Sequence, residues 1–199
     1  MLVFFEKKLV IFATTKTGST ALHGALSPRA SMTFRNPPAV KHASVQKYER
    51  ILKPTFEELG APQDMETFAL IRHPVEWLSS WFRYRCRDQL IGKPNSTRDV
   101  TFNEFVVEYM KDLPRSFADI GSQSKFLTGL DDELGIDHLY QYEAEKRYLQ
   151  FLRDRLDVPI ETKRRNVSPD FEVTLDPSIR RDLETLHRVE FDLWHIAQH

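Results

Sequence analysis

Covalent and metal scaffolding are almost missing from this sequence. One cysteine, Cys86, stands among 199 residues, which excludes an internal disulfide framework and any cysteine-built metal cage. Histidines occur at 23, 42, 73, 138, 187, 195 and 199. The single His-x3-His pair, 195/199, sits at the end of the sequence without a third ligand nearby, so no metal site is expected. Long apolar runs are also missing. No window reaches the ~18 consecutive apolar residues of a membrane span, and Glu6, Lys7 and Lys8 interrupt the opening stretch after five residues. For a complete chain this predicts a cytoplasmic protein with neither signal peptide nor anchor. Net charge is only −1, so no global field favours nucleic acid or an anionic membrane as partner, and any anion must be held by a local cluster. Internal repeats and low-complexity tracts are absent as well.

What remains is an ordinary globular composition, 41% hydrophobic and 29% charged. The length predicts a single domain over 1–199, large enough to bury a real core. The most organised stretch runs from Leu9 to Leu26. It opens as a short, β-branched apolar run, breaks into small hydroxylated residues around Gly18, and resumes with Ala21, Leu22, Ala25 and Leu26 at helical spacing. Such a strand–turn–helix aims free N–H groups and the positive dipole end of a helix at one point. Lys16 adds a full charge there, and Thr17, Ser19 and Thr20 add hydroxyl donors. That chemistry suits a phosphate or a group shaped like one.

Further along, Ser31 to Arg35 is a short strand candidate broken by Asn36-Pro37-Pro38. Val45 to Leu59 falls near helical spacing, ended or kinked at Pro54. Glu66 to Ile71 reads as a second strand, and Arg72-His73-Pro74 opens a helix in which Pro74 takes the first position and His73 caps. Two strand–helix units predict an α/β fold with a central, mainly parallel sheet flanked by helices. Thr101 with Glu104 forms a capping-box pattern. A short helix is expected over Ser122–Leu127 and a further helix over Glu143–Leu156, with strands over Ile136–Tyr140 and Val158–Ile160. A single terminal helix starts from Asp176-Pro177, with Ile179, Leu183, Leu186, Leu193 and Ile196 as one apolar stripe. Arg83, Arg85 and Arg87 read as exposed solubilising charges, and Trp77 with Trp81 as core packing.

The loop is not a Walker A sequence. Ser19 follows Gly18 where that motif needs lysine, and Ala13 stands where it needs glycine. The order Lys16-Thr17-Gly18-Ser19-Thr20 instead resembles the 5′-phosphosulfate loop of the sulfotransferases. Arg72 to Ser80 looks like the 3′-phosphate motif of the same family, with Arg72 at a strand end and Ser80 two turns into the next helix. Gln123 to Leu127 and Arg165-Asn166-Val167-Ser168 resemble later segments of its carbohydrate type. The resemblance implies a P-loop NTPase-like fold. It also implies a cofactor, 3′-phosphoadenosine 5′-phosphosulfate, gripped by Lys16, Thr17, Gly18, Ser19, Thr20, Arg72, Ser80 and either Arg165 or Arg164. The implied reaction passes a sulfuryl group to a sugar or other hydroxyl acceptor, without metal.

Transfer of this kind is mainly positioning and charge stabilisation. Lys16 is placed to neutralise charge on the departing bridging oxygen, and the acceptor hydroxyl needs a base. His42, within Lys41-His42-Ala43-Ser44, is similar to the catalytic histidine segment of the uronyl 2-O type. Histidine's ordinary pKa of ~6.5 suits the task. His23, Glu76 and Glu49 are rivals for that role. Two other functions compete with sulfuryl transfer: a nucleotide or small-molecule kinase, and a non-catalytic module for 3′,5′-nucleotides.

Overall fold

Apolar runs too short to be helices become strands where both of their faces can be covered. In the computed structural model, which describes residues 1–161 and 171–199, five such runs pair into one sheet: β1 (Leu2–Phe4), β2 (Leu9–Ile11), β3 (Met32–Thr33), β4 (Glu66–Ile71) and β5 (His138–Gln141). Their order is β3-β1-β2-β4-β5. The sheet is mixed. β2, β4 and β5 run parallel to one another, whereas β1 is antiparallel to both β2 and β3. The expected mainly parallel sheet is corrected by β1, whose hairpin with β2 lacks the usual glycine or asparagine turn signal. Lys8 takes the left-handed position there, at φ 48°.

The described chain divides into two compact units. The first comprises residues 1–72, 123–161 and 196–199. On one face of its sheet, Leu9, Ile11, Phe68 and Leu70 pack with Leu22 and Leu26 of α1 (Ser19–Leu26) and with Tyr148, Leu149, Leu152 and Leu156 of α8 (Glu145–Leu156). On the other face Phe12 meets Tyr48 and Phe126 edge-on. This unit also holds α2 (Pro38–Lys41), α3 (Val45–Lys47), α4 (Lys53–Glu58) and α7 (Gln123–Leu127). Between α3 and α4 the chain takes a π-helical turn over Tyr48–Leu52, so Pro54 falls in the first turn of α4, where its missing N–H costs nothing. Val158–Ile160 is not a strand. Ile160 is buried, and its carbonyl accepts from Arg153 Nη2 at 3.3 Å instead of joining the sheet.

The second unit holds α5 (Pro74–Arg85), α6 (Phe102–Tyr109), α9 (Pro177–Leu186) and most of α10 (Arg188–Ile196). Trp77, Leu78, Phe82, Phe105, Leu183 and Phe191 belong to its core. Thr101 caps α6 through both bonds of the capping box. The expected single terminal helix is two helices, separated at His187. The break changes the register, which leaves Leu186 and Ile196 65% and 68% exposed while Phe191 is buried. His73 stands at the N-cap of α5 without a side-chain capping bond. Its ring instead meets Trp194 edge-on at 4.9 Å. Arg85 is structural as well as charged, donating to the carbonyls of Ser116 and Asp119. Among the described residues no helix is long and apolar enough to cross a membrane.

Candidate anion-binding site

The three parallel strands finish on the same edge of the sheet, the edge at which open α/β sheets bind ligands. Thr14 to Gly18 follow β2, Arg72 follows β4, and Tyr142 follows β5. Each of these residues belongs to the first unit.

Lys16 and Gly18 both adopt left-handed backbone, at φ 63° and 68°. Between them Thr17 is buried, and its hydroxyl donates to the Thr14 carbonyl at 2.9 Å. Left-handed residues in a turn of this kind tip successive N–H groups toward one side and form a concavity suited to an anion. Gly18 is the N-cap of α1 and supplies no capping side chain, so the helix presents its first-turn N–H groups uncapped. A side chain at Gly18 would be unwelcome for a second reason: a Cβ there would lie 3.1 Å from the Tyr142 ring.

Arg72 is held at both ends. The Gln123 amide accepts from its N–H at 2.9 Å and donates to its carbonyl at 2.8 Å, a reciprocal pair that also fixes the orientation of the amide. Gln123 is buried. The guanidinium lies over the Tyr142 ring, 5.1 Å from its centroid, and Nη1 donates to the Lys16 carbonyl at 3.4 Å. One aromatic ring thus touches Gly18 and supports Arg72. Tyr142 and Gln123 were not singled out by chemistry in the sequence. The signal available for Tyr142 was its place just beyond a strand.

The segment after α2 ties down both ends of the loop. His42 Nδ1 lies 2.6 Å from the Ala13 carbonyl. A carbonyl only accepts, so Nδ1 carries the proton and the neutral ring keeps a lone pair on Nε2. Burial draws the His42 pKa below the ordinary imidazole value, partly opposed by the bond to Ala13. Lys41 Nζ donates to the Thr20 hydroxyl at 3.3 Å. His23 is buried on α1 and pulled down to about 3, first by burial and then by the Met1 amino group, Lys41, His42 and Arg35. It is therefore neutral, and its Nε2 lies 3.2 Å from the Met1 nitrogen.

Of the residues expected to bind a nucleotide, Lys16, Thr17, Gly18, Ser19, Thr20 and Arg72 share the first unit with His42, and Ser80 is buried on α5 in the second. Arg164 and Arg165 lie outside the described residues. Glu49 is engaged elsewhere, its carboxylate accepting from Leu130 N–H at 2.7 Å, and Glu76 is exposed on α5. Compared with protein-family models, with curated proteins and with solved structures, the chain matches none.

Proposed function

We propose that this protein is a sulfotransferase of P-loop-like fold that uses 3′-phosphoadenosine 5′-phosphosulfate. The observation that carries the reading is the grouping of Lys16, the left-handed turn at Gly18, Arg72 and an oriented His42 around the ends of three parallel strands. Bound there, the nucleotide would supply a sulfuryl group on a mixed anhydride. The residues of the first unit fit its charge: the loop N–H groups and Lys16 would hold the 5′ group, and Arg72 would serve the 3′-phosphate. Lys16 would neutralise charge developing on the departing oxygen of the nucleotide. His42 Nε2 accepts the proton of the acceptor hydroxyl, while the Nδ1–H bond to Ala13 keeps the ring in the competent tautomer.

Thermal shift with adenosine 3′,5′-bisphosphate against ATP plus Mg²⁺ tests the assignment. Stabilisation by the bisphosphate is expected, rising with ligand concentration as binding to the folded state requires. Stabilisation by ATP alone points to the kinase alternative and overturns the proposal. A screen of hydroxyl acceptors, carbohydrates first, then separates a transferase from a binding module.

A further inference from the structure

Lys41 carries a positive charge that no carboxylate among the described residues balances. Its side chain is half-buried, and burial lowers its pKa. The titratable groups around it and its neighbours are the Met1 amino group, His23, His42 and Arg35, none of which can supply a counter-charge; burial lowers the first to about 5 and the second to about 3. Among the described residues no carboxylate pairs with it, and its one hydrogen bond runs to the neutral Thr20 hydroxyl. An ammonium has three donors and is costly to desolvate without a counter-charge. Thr20 lies in the first turn of α1, so this unbalanced ammonium stands beside the anion cradle. Within the same loop, the Thr14 hydroxyl is 1% exposed and finds no partner among the described residues.

We propose that Lys41 is a second anion-binding lysine of this loop, joining Lys16 on a ligand group that bears at least two negative charges. The inference rests on the reading of residues 14–20 as an anion cradle, but not on the ligand being a nucleotide. Lys41 and His42 are neighbours, so one short segment brings both the added charge and the base to the loop.

Calorimetric titration of wild type, Lys41→Gln and Lys41→Arg with adenosine 3′,5′-bisphosphate and with inorganic pyrophosphate tests this, alongside melting temperatures. Lys41→Gln is expected to weaken both probes about tenfold, the loss of one charge-assisted hydrogen bond. Lys41→Arg should recover most of that affinity, and melting temperatures should stay close to wild type. Unchanged affinity in Lys41→Gln overturns the role of Lys41 and leaves the sulfotransferase reading standing. A weakened Lys41→Gln that melts much lower and is not rescued by Lys41→Arg also overturns it, in favour of a structural role. Wild type that binds pyrophosphate but not the bisphosphate sinks the nucleotide reading, and the pyrophosphate comparison still decides Lys41. Binding of neither probe overturns both.

Discussion

At the scale of single residues, two side chains have roles sharp enough to break selectively. His42 owes its usable lone pair to Ala13: the carbonyl takes the Nδ1 proton and leaves Nε2 open. His42→Ala is expected to lower turnover ~10²–10⁴-fold with bisphosphate affinity retained, measured by steady-state kinetics and calorimetry. In wild type the acid limb of kcat/KM should fall below pH ~6.5, because burial lowers the value for His42 and the base works only unprotonated. Full turnover in His42→Ala would remove the residue from the mechanism. Gln123 acts one step back, by holding the Arg72 backbone at both its N–H and its carbonyl. Gln123→Leu removes both bonds to the part-buried Arg72 backbone and should cost about 1–3 kcal/mol by urea denaturation. If its role is to position Arg72, bisphosphate affinity must fall as well. A stability loss with unchanged affinity would make Gln123 a core residue only.

At the scale of elements, local rules held where a motif satisfied its own backbone and failed where a neighbour supplied the decisive bond. Thr101 and Glu104 close both capping-box bonds, at 3.2 and 2.7 Å, within four residues, so α6 was legible from its first turn. Thr101→Ala is expected to cost about 1 kcal/mol, read as a lower urea midpoint with an unchanged slope. A loss of no more than a few tenths would mean that packing of Phe102 and Phe105 sets this helix end. Ile160 is the opposite case. Val158–Ile160 was expected as a strand; the Ile160 side chain is buried, but a guanidinium holds its carbonyl and no strand forms. The split at His187 follows the same logic: the ring stacks on Tyr109 at 4.7 Å, a contact that helical periodicity does not encode.

At the scale of the whole molecule, buried histidines tie stability to pH. His23 is held near 3 in the folded state against an unfolded value of ~6.5. Between those values the unfolded chain binds the extra proton, so stability rises with pH through this window and is lost as pH falls from ~6.5 toward 3. The slope for one such group approaches about 1.4 kcal/mol per pH unit. His42, also lowered, adds in the same direction. Glu66, Glu104 and Glu108 have depressed values and add their own losses only below ~4.5. Between pH 5 and 7 the Met1 amino group, lowered by burial to about 5, adds in the same direction as the histidines. The histidine share is therefore read by urea denaturation as the difference between wild type and His23→Gln, which should flatten the dependence there. An equally steep slope in that variant would place the proton uptake elsewhere.

The sequence by itself determined that β2 leads through a lysine–glycine turn into a helix, and that β4 ends on an arginine. Both follow from spacing along a few neighbouring residues, where apolar period and backbone freedom act directly. It also marked His42 as a residue to watch, without saying which nitrogen would be available. Only the tertiary structure decided that β1 joins the sheet antiparallel, since that pairing depends on Lys8 accepting a left-handed turn. Only it brought Tyr142 against Gly18, Gln123 onto Arg72, and Lys41 to Thr20, across separations of 124, 51 and 21 residues along the chain. Those contacts arise because parallel strands gather their ends on one edge of a sheet. The cost of burying charge and polar groups then determines what must meet there.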